Sequence, residues 1–351
     1  MSSPFDKQLL DAAGATSENV AGVTEALRQG ADVNTKDQYN NTALNTAALW
    51  GHGEIVKKLI EAGADLENKG SGGGLTPLAN AASRGHMEVA RILLDRGARV
   101  TDDLLSVLQT KVNIFEENYE IGQVTQEGLA HWKNVLELFV TQRLKQDLPD
   151  VIPHLSSAGP ERTNAVARVA EAASRGLEVT DAAVPLTALL ADADPDTRGH
   201  AGRGLAYHLA RTGGWAQVCE ILGSSHTEVR AAAAEALIRT PADDSLLEPL
   251  RGLLHDASAD VRKTAALTVS TLPNKGVDAR LLVPRMTELL RDADPAVRRS
   301  AAFAFRSWSK QGLREYCSPA LAELRSVAEH DESEPVRQFA GHAIALAEGW
   351  D

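Results

Sequence analysis

The chain has 351 residues and a net charge of −12, with 43% hydrophobic but only 4% aromatic residues. That length allows two domains, the acidic balance disfavours nucleic acid and anionic membrane, and two cysteines, Cys219 and Cys317, provide no disulfide framework. No apolar run approaches the ~18 residues of a membrane span, and residues 1–10 contain no basic, apolar signal segment, so a soluble cytoplasmic protein is expected.

From the N-terminus, Leu9-Leu10-Asp11-Ala12-Ala13 opens a helical stretch that closes at Gly30-Ala31, and the Gly-Ala pair returns at Gly63-Ala64 and Gly97-Ala98, at intervals of 33 and 34 residues. A fixed period of this length marks a solenoid, in which each helical pair buries its apolar face on its neighbours. One unit reads Thr42-Ala43-Leu44-Asn45-Thr46-Ala47-Ala48-Leu49-Trp50-Gly51-His52, then Glu54-Ile55-Val56. The next reads Thr76-Pro77-Leu78-Ala79-Asn80-Ala81-Ala82-Ser83-Arg84-Gly85-His86, then Glu88-Val89-Ala90. Thr76 and Pro77 start a helix, because the hydroxyl caps it and proline at the first turn needs no donor. Gly51 and Gly85 permit the turn between helices, and Gly63 and Gly97 end the second helix. These residues resemble the ankyrin repeat family, which implies helical pairs joined by hairpin-like turns. The histidine that the family places after Thr-Pro-Leu is Asn45 in one unit and Ala79 in the other. Its bond to the neighbouring turn is expected to be altered or missing, softening the array. The run Gly70-Ser71-Gly72-Gly73-Gly74 reads as a turn with one inserted residue, since no phosphate-loop lysine follows it.

Residues 102–147 predict two helices, one through Leu104-Leu105-Ser106-Val107-Leu108 and one carrying Leu129, Trp132, Val135, Leu136 and Phe139 at helical spacing, with a break at Asn118–Gly122. They read as a helical bridge or an enlarged last unit of the first array, since no Gly/Ser/Pro linker intervenes. A second repeat follows. Arg162, Arg198, Arg230, Arg262, Arg298 and Arg337 fall at intervals of 36, 32, 32, 36 and 39. The third residue after each is alanine (Ala165, Ala201, Ala233, Ala265, Ala301, Ala340) and the seventh is apolar (Val169, Leu205, Leu237, Val269, Phe305, Ile344). These positions share one helix face, and Asp-x-Asp-Pro before Arg198 and Arg298 is a capped helix start. The pattern resembles the HEAT repeat family. The expected fold is therefore all-α: two stacked α-solenoids, with ankyrin repeats over 1–101, the bridge over 102–147 and HEAT repeats over 148–351.

A search for chemistry returns none. The histidines and cysteines form no C-x-x-C or H-E-x-x-H spacing, and no His-Glu dipeptide exists, whereas the HEAT-like deoxyhypusine hydroxylases hold iron with such pairs. No cofactor is expected. Asp192 and Asp194 beside Arg198 read as caps and an Asp–Arg ladder between repeats, worth about 1 kcal/mol or less per pair when exposed. His52 and His86 read as structural. The expected function is a non-catalytic scaffold or adaptor that binds a protein partner on concave solenoid surfaces. The alternative is a dedicated inhibitor, such as an immunity protein against a basic toxin, and an enzyme of HEAT-like type is the remotest reading. The overall charge favours a basic partner, and a monomer is expected in isolation. In the ankyrin part the hairpin tips and inner-helix face put forward Tyr39, Trp50, Gly73, Leu75 and Arg84; Trp50 is placed within reach of the Tyr39 turn. In the HEAT part, positions two, five and nine after the arginine put forward Arg203, Tyr207, Arg239 and Phe303 as a strip opposite the buried face.

Overall fold

The computed structural model describes residues 3–70 and 74–349; Gly73, a proposed hairpin tip, lies outside the described residues with Ser71 and Gly72. Within the described residues every regular element is helical, apart from one antiparallel bridge between Lys36 and Thr42. The chain divides into two units, residues 1–147 and 148–351.

The first unit contains α1 (Pro4–Ala13), α2 (Val20–Arg28), α3 (Ala43–Trp50), α4 (Gly53–Glu61), α5 (Pro77–Arg84), α6 (Met87–Asp95), α7 (Asp102–Glu120) and most of α8 (Gln126–Val151). Its inner helices start as their caps dictate. The hydroxyls of Thr42, Thr76 and Thr101 accept from the backbone N–H groups of Asn45, Ala79 and Leu104 at 3.3, 3.2 and 3.3 Å. Gly51 and Gly85 end α3 and α5 at φ +78° and +82°, a left-handed conformation that costs glycine little. Helices α7 and α8 send Leu104, Leu108, Val112, Trp132, Val135 and Phe139 into the same apolar cluster as Leu44, Ile55, Leu78 and Leu93.

One expectation is overturned. Asn45 does not loosen the array: its Nδ2 donates to the carbonyls of Asn68 (3.0 Å) and Leu75 (3.2 Å) in the next turn, and its Oδ1 accepts from Asn68 Nδ2 at 2.8 Å. A buried amide offers two donors and an acceptor, so it spans the gap between turns. Ala79 has no group to do this. The two histidines are tied to the preceding unit, His52 Nδ1 to the Ala13 carbonyl at 3.3 Å and His86 Nε2 to the Leu49 carbonyl at 3.1 Å.

The second unit alternates long inner helices, α9 (Pro160–Ser174), α11 (Pro195–Thr212), α13 (Thr227–Leu237), α15 (Ala259–Thr271), α17 (Pro295–Lys310) and α20 (Glu334–Glu348), with shorter outer ones, α10 (Ala183–Leu189), α12 (Trp215–Leu222), α14 (Leu247–Leu253), α16 (Val283–Glu288), α18 (Arg314–Cys317) and α19 (Leu321–His330). The six alanines three residues after each arginine are all buried, because successive inner helices meet there. Gly204 allows a close approach: a Cβ on it would come within 3.1 Å of the Ala170 Cα.

The arginines form a ladder. Arg230 holds Asp256 at 2.7 Å, Arg262 holds Asp292 at 2.8 Å and Arg298 holds Asp331 at 2.7 Å, each carboxylate coming from the following repeat. Arg162 pairs with Asp192 at 2.9 Å, and Arg198 pairs with Glu228. Their Nη1 atoms also cap the loop behind them: Arg262 donates to the Asp256 and Ala257 carbonyls at 2.8 and 3.0 Å, and Arg230 and Arg298 repeat this. The exposed-pair energy anticipated for this ladder does not apply, since the Asp256, Asp292 and Asp331 side chains are almost fully buried.

Candidate protein-interaction surfaces

In the first unit the hairpin before α3 is built by Asp37, whose Oδ1 accepts from the N–H groups of Tyr39 (2.8 Å) and Asn41 (2.9 Å). Asn40 sits at φ +60°, a conformation asparagine tolerates, and its side chain donates to the Lys69 carbonyl of the next hairpin at 2.8 Å. Tyr39 is thereby displayed, 62% exposed, on a turn tied at both ends. Trp50 is 51% exposed at the C-terminal end of α3. The two are not adjacent as expected. About 10 Å of helix separates Ala43 from Trp50, at 1.5 Å per residue, so the hairpin and the indole mark opposite ends of α3.

Arg84 is exposed at the matching end of α5, which packs beside α3. Next to it Lys111 of α7 lies over the Trp132 ring at 4.2 Å and donates to the Ser83 carbonyl. Burial, and then the Arg84 charge, push the Lys111 ammonium below its ordinary pKa. Leu75 is corrected: it is partly buried against the core, and its carbonyl is held by Asn45, so it is part of the turn's packing. An additional cleft of about 710 Å³ lies between α6 and α8, lined by Met87, Arg91, Leu94, Leu138 and Lys145. Sequence reasoning missed it because Leu138 falls one residue from Phe139, and only the packing decides which of the two is buried.

In the second unit the anticipated strip divides. Tyr207 is 5% exposed, with the Arg211 guanidinium 5.7 Å from its ring, so it is a packing residue and not a surface anchor. Arg203 is paired with Glu235 at 2.9 Å. Arg239 is exposed, and Phe303 is half-buried, stacked edge-on against Phe339 of α20 at 5.7 Å. Among the described residues no three His, Cys, Asp or Glu side chains converge to hold a metal ion, and no helix is long and apolar enough to cross a membrane.

Comparison with known proteins agrees with this architecture. A family model of ankyrin repeats, in three copies, matches residues 9–103, and one of HEAT repeats matches residues 183–270. The chain joins ankyrin repeats to HEAT repeats. A third model, described as non-SMC mitotic condensation complex subunit 1, matches residues 229–338 within the HEAT part. The ankyrin part is similar to the human ankyrin repeat and KH domain-containing protein 1, 49% identical over 60 residues, which is 17% of this chain and 2% of that protein. It is also similar to the ankyrin repeat and KH domain-containing protein mask-1 of Caenorhabditis elegans, 37% identical over 102 residues, or 29% of this chain and 4% of that one. The human SMC5-SMC6 complex localization factor protein 1 is 32% identical over 71 residues, 20% of this chain and 7% of its own length. The ankyrin–HEAT chain thus spans 2–7% of the length of these three relatives.

Proposed function

We propose that this ankyrin–HEAT protein is a non-catalytic interaction module, a scaffold or adaptor whose ankyrin inner face binds a protein partner. The observation that carries this reading is Trp50. It is an indole half exposed at the end of an inner helix, outside the apolar cluster, with exposed Arg84 on the adjacent inner helix. Large aromatics and arginines dominate binding hot spots, and half of this indole is open to a partner. Tyr39 and its tied hairpin extend the same surface at the other end of α3.

The test is a paired measurement on Trp50→Ala. Partners are captured from the native host with the full chain, identified by mass spectrometry and titrated against wild type and variant. The thermal melt should stay within a degree or two of wild type, while affinity falls by about 2 kcal/mol or more, the hot-spot range. Normal affinity with a normal melt would remove the ankyrin face from the interaction, and a large loss of stability would place Trp50 in the core.

A further inference from the structure

Helix α17 presents one solvent-facing stripe of unusual composition. Arg299, Phe303, Arg306 and Lys310 lie at spacings of four, three and four residues, within about 60° of arc on a helix that turns 100° per residue. The opposite side of the helix buries Val297, Ala301, Phe305 and Trp308. Arg299 and Lys310 are exposed; Phe303 and Arg306 are half-buried. Phe303 stands edge-on to Phe339 of α20 at 5.7 Å, and the Arg306 guanidinium lies 5.5 Å from the Phe339 ring. Among the described residues none of the three cations has a carboxylate within ion-pair distance. The ladder arginines Arg162, Arg198, Arg230, Arg262 and Arg298 all have one.

We infer that this stripe is a docking site for an acidic peptide segment, two or more carboxylates flanking an aromatic or large aliphatic side chain. The charge is complementary: cations at both ends of a stripe about 16 Å long, from Arg299 to Lys310, surround an aromatic pair that is already fixed in place. Carboxylates would reach Arg299, Arg306 and Lys310 while the apolar residue covers the Phe303–Phe339 edge and dries the contact, the arrangement of a hot spot with its rim. A nucleic-acid strand suits the site less well. Phosphate tracking needs cations extended along a path. Here the inner helices before α17 carry Glu228, Glu235 and Asp260, and α20 carries Glu334. The inference goes beyond the ankyrin-face reading and does not depend on it.

The test selects peptides from a displayed random library against the full chain, then titrates a labelled synthetic copy of the most enriched peptide. Acidic peptides with an aromatic or leucine are expected, with affinity that falls as salt rises. Arg299→Glu/Lys310→Glu, at two exposed positions, should weaken binding by roughly tenfold or more with an unchanged melt, since like charges then face each other. Arg299→Glu/Arg306→Glu should do the same, and Trp50→Ala should bind the peptide normally. Enrichment of neutral or basic peptides, no enrichment at all, or binding indifferent to Arg299→Glu/Lys310→Glu overturns the inference. So does a labelled single-stranded oligonucleotide that binds through these residues in place of the peptide.

Discussion

Arg262 shows how much one side chain does in this array. Its Nε and Nη2 hold Asp292 of the next repeat at 2.8 Å each, and its Nη1 closes the loop behind it. Burial alone would push the Asp292 carboxyl up. The Arg262 hydrogen bonds and charge outweigh this and hold it below the ordinary aspartate range, and Asp256 and Asp331 behave alike. Arg262→Ala leaves a buried carboxylate without its partner and should cost ~3 kcal/mol, whereas Arg262→Met/Asp292→Leu should recover much of the loss. Chemical denaturation of the three proteins checks this. The sign for pH follows. A carboxyl with a depressed folded pKa stabilises fully above its unfolded value, about 3.9. That contribution is lost as pH falls from there through the folded value, because the unfolded chain then binds more protons. Stability should therefore be level above about pH 5 and fall steeply below pH 4, with a shallower fall in Arg262→Met/Asp292→Leu.

At the scale of the element, the inner helices are held together by what they lack. Ala265 and Ala301 are fully buried where α15 meets α13 and α17, and α17 meets α20. Ala265→Leu and Ala301→Leu should each overpack the stack and cost about 1–3 kcal/mol, read as a lowered melt without a change of helical content at low temperature. An unchanged melt in both would show that the helices do not meet at these residues. Helix ends are tied in the same cross-repeat way. Arg211 donates to the Ala173 carbonyl at the end of α9, and Lys275 donates to the Leu237 and Ile238 carbonyls at the end of α13. A cation at a helix C-terminus meets both the free carbonyls and the negative end of the dipole.

At the scale of the whole molecule, the boundary of the first unit is a testable matter. Trp132, Val135 and Phe139 belong to the same apolar cluster as Leu78 and Leu93, although they lie beyond the last Gly-Ala pair. A fragment of residues 1–151 should fold with a single cooperative transition, while residues 1–101 alone should melt lower or not fold, because the last helical pair would lose its cover. Circular dichroism on both fragments decides it, and equal stability would show that α7 and α8 are not part of this unit. Net charge also acts at this scale, and it is a poor guide to any one surface. The chain carries −12 overall, yet the α17 stripe presents three cations, Arg299, Arg306 and Lys310, on one face of a single helix.

Much was legible from residues alone, for a physical reason: repeats impose the same packing demand at a fixed period. Small residues must recur where helices touch, as at Ala265 and Ala301, and glycine must recur where the backbone turns left-handed, as at Gly51 and Gly85. Caps are local as well, so Thr76, Asp194 and Asp294 announced their helices. The Asp–Arg ladder between repeats was legible too, because it recurs with the period, but side chains that reach across repeats without recurring needed the tertiary structure. Asn45 replaces a histidine by bonding two distant carbonyls, which no local rule assigns. Tyr207 and Leu75 turn inward, Tyr39 and Trp50 stand at opposite ends of one helix, and Phe303 and Arg306 meet Phe339 only because α17 packs on α20. Periodicity sets which helix face is apolar, but the exposure of a residue at the margin of that face depends on the neighbouring helix, and only folding brings that helix alongside.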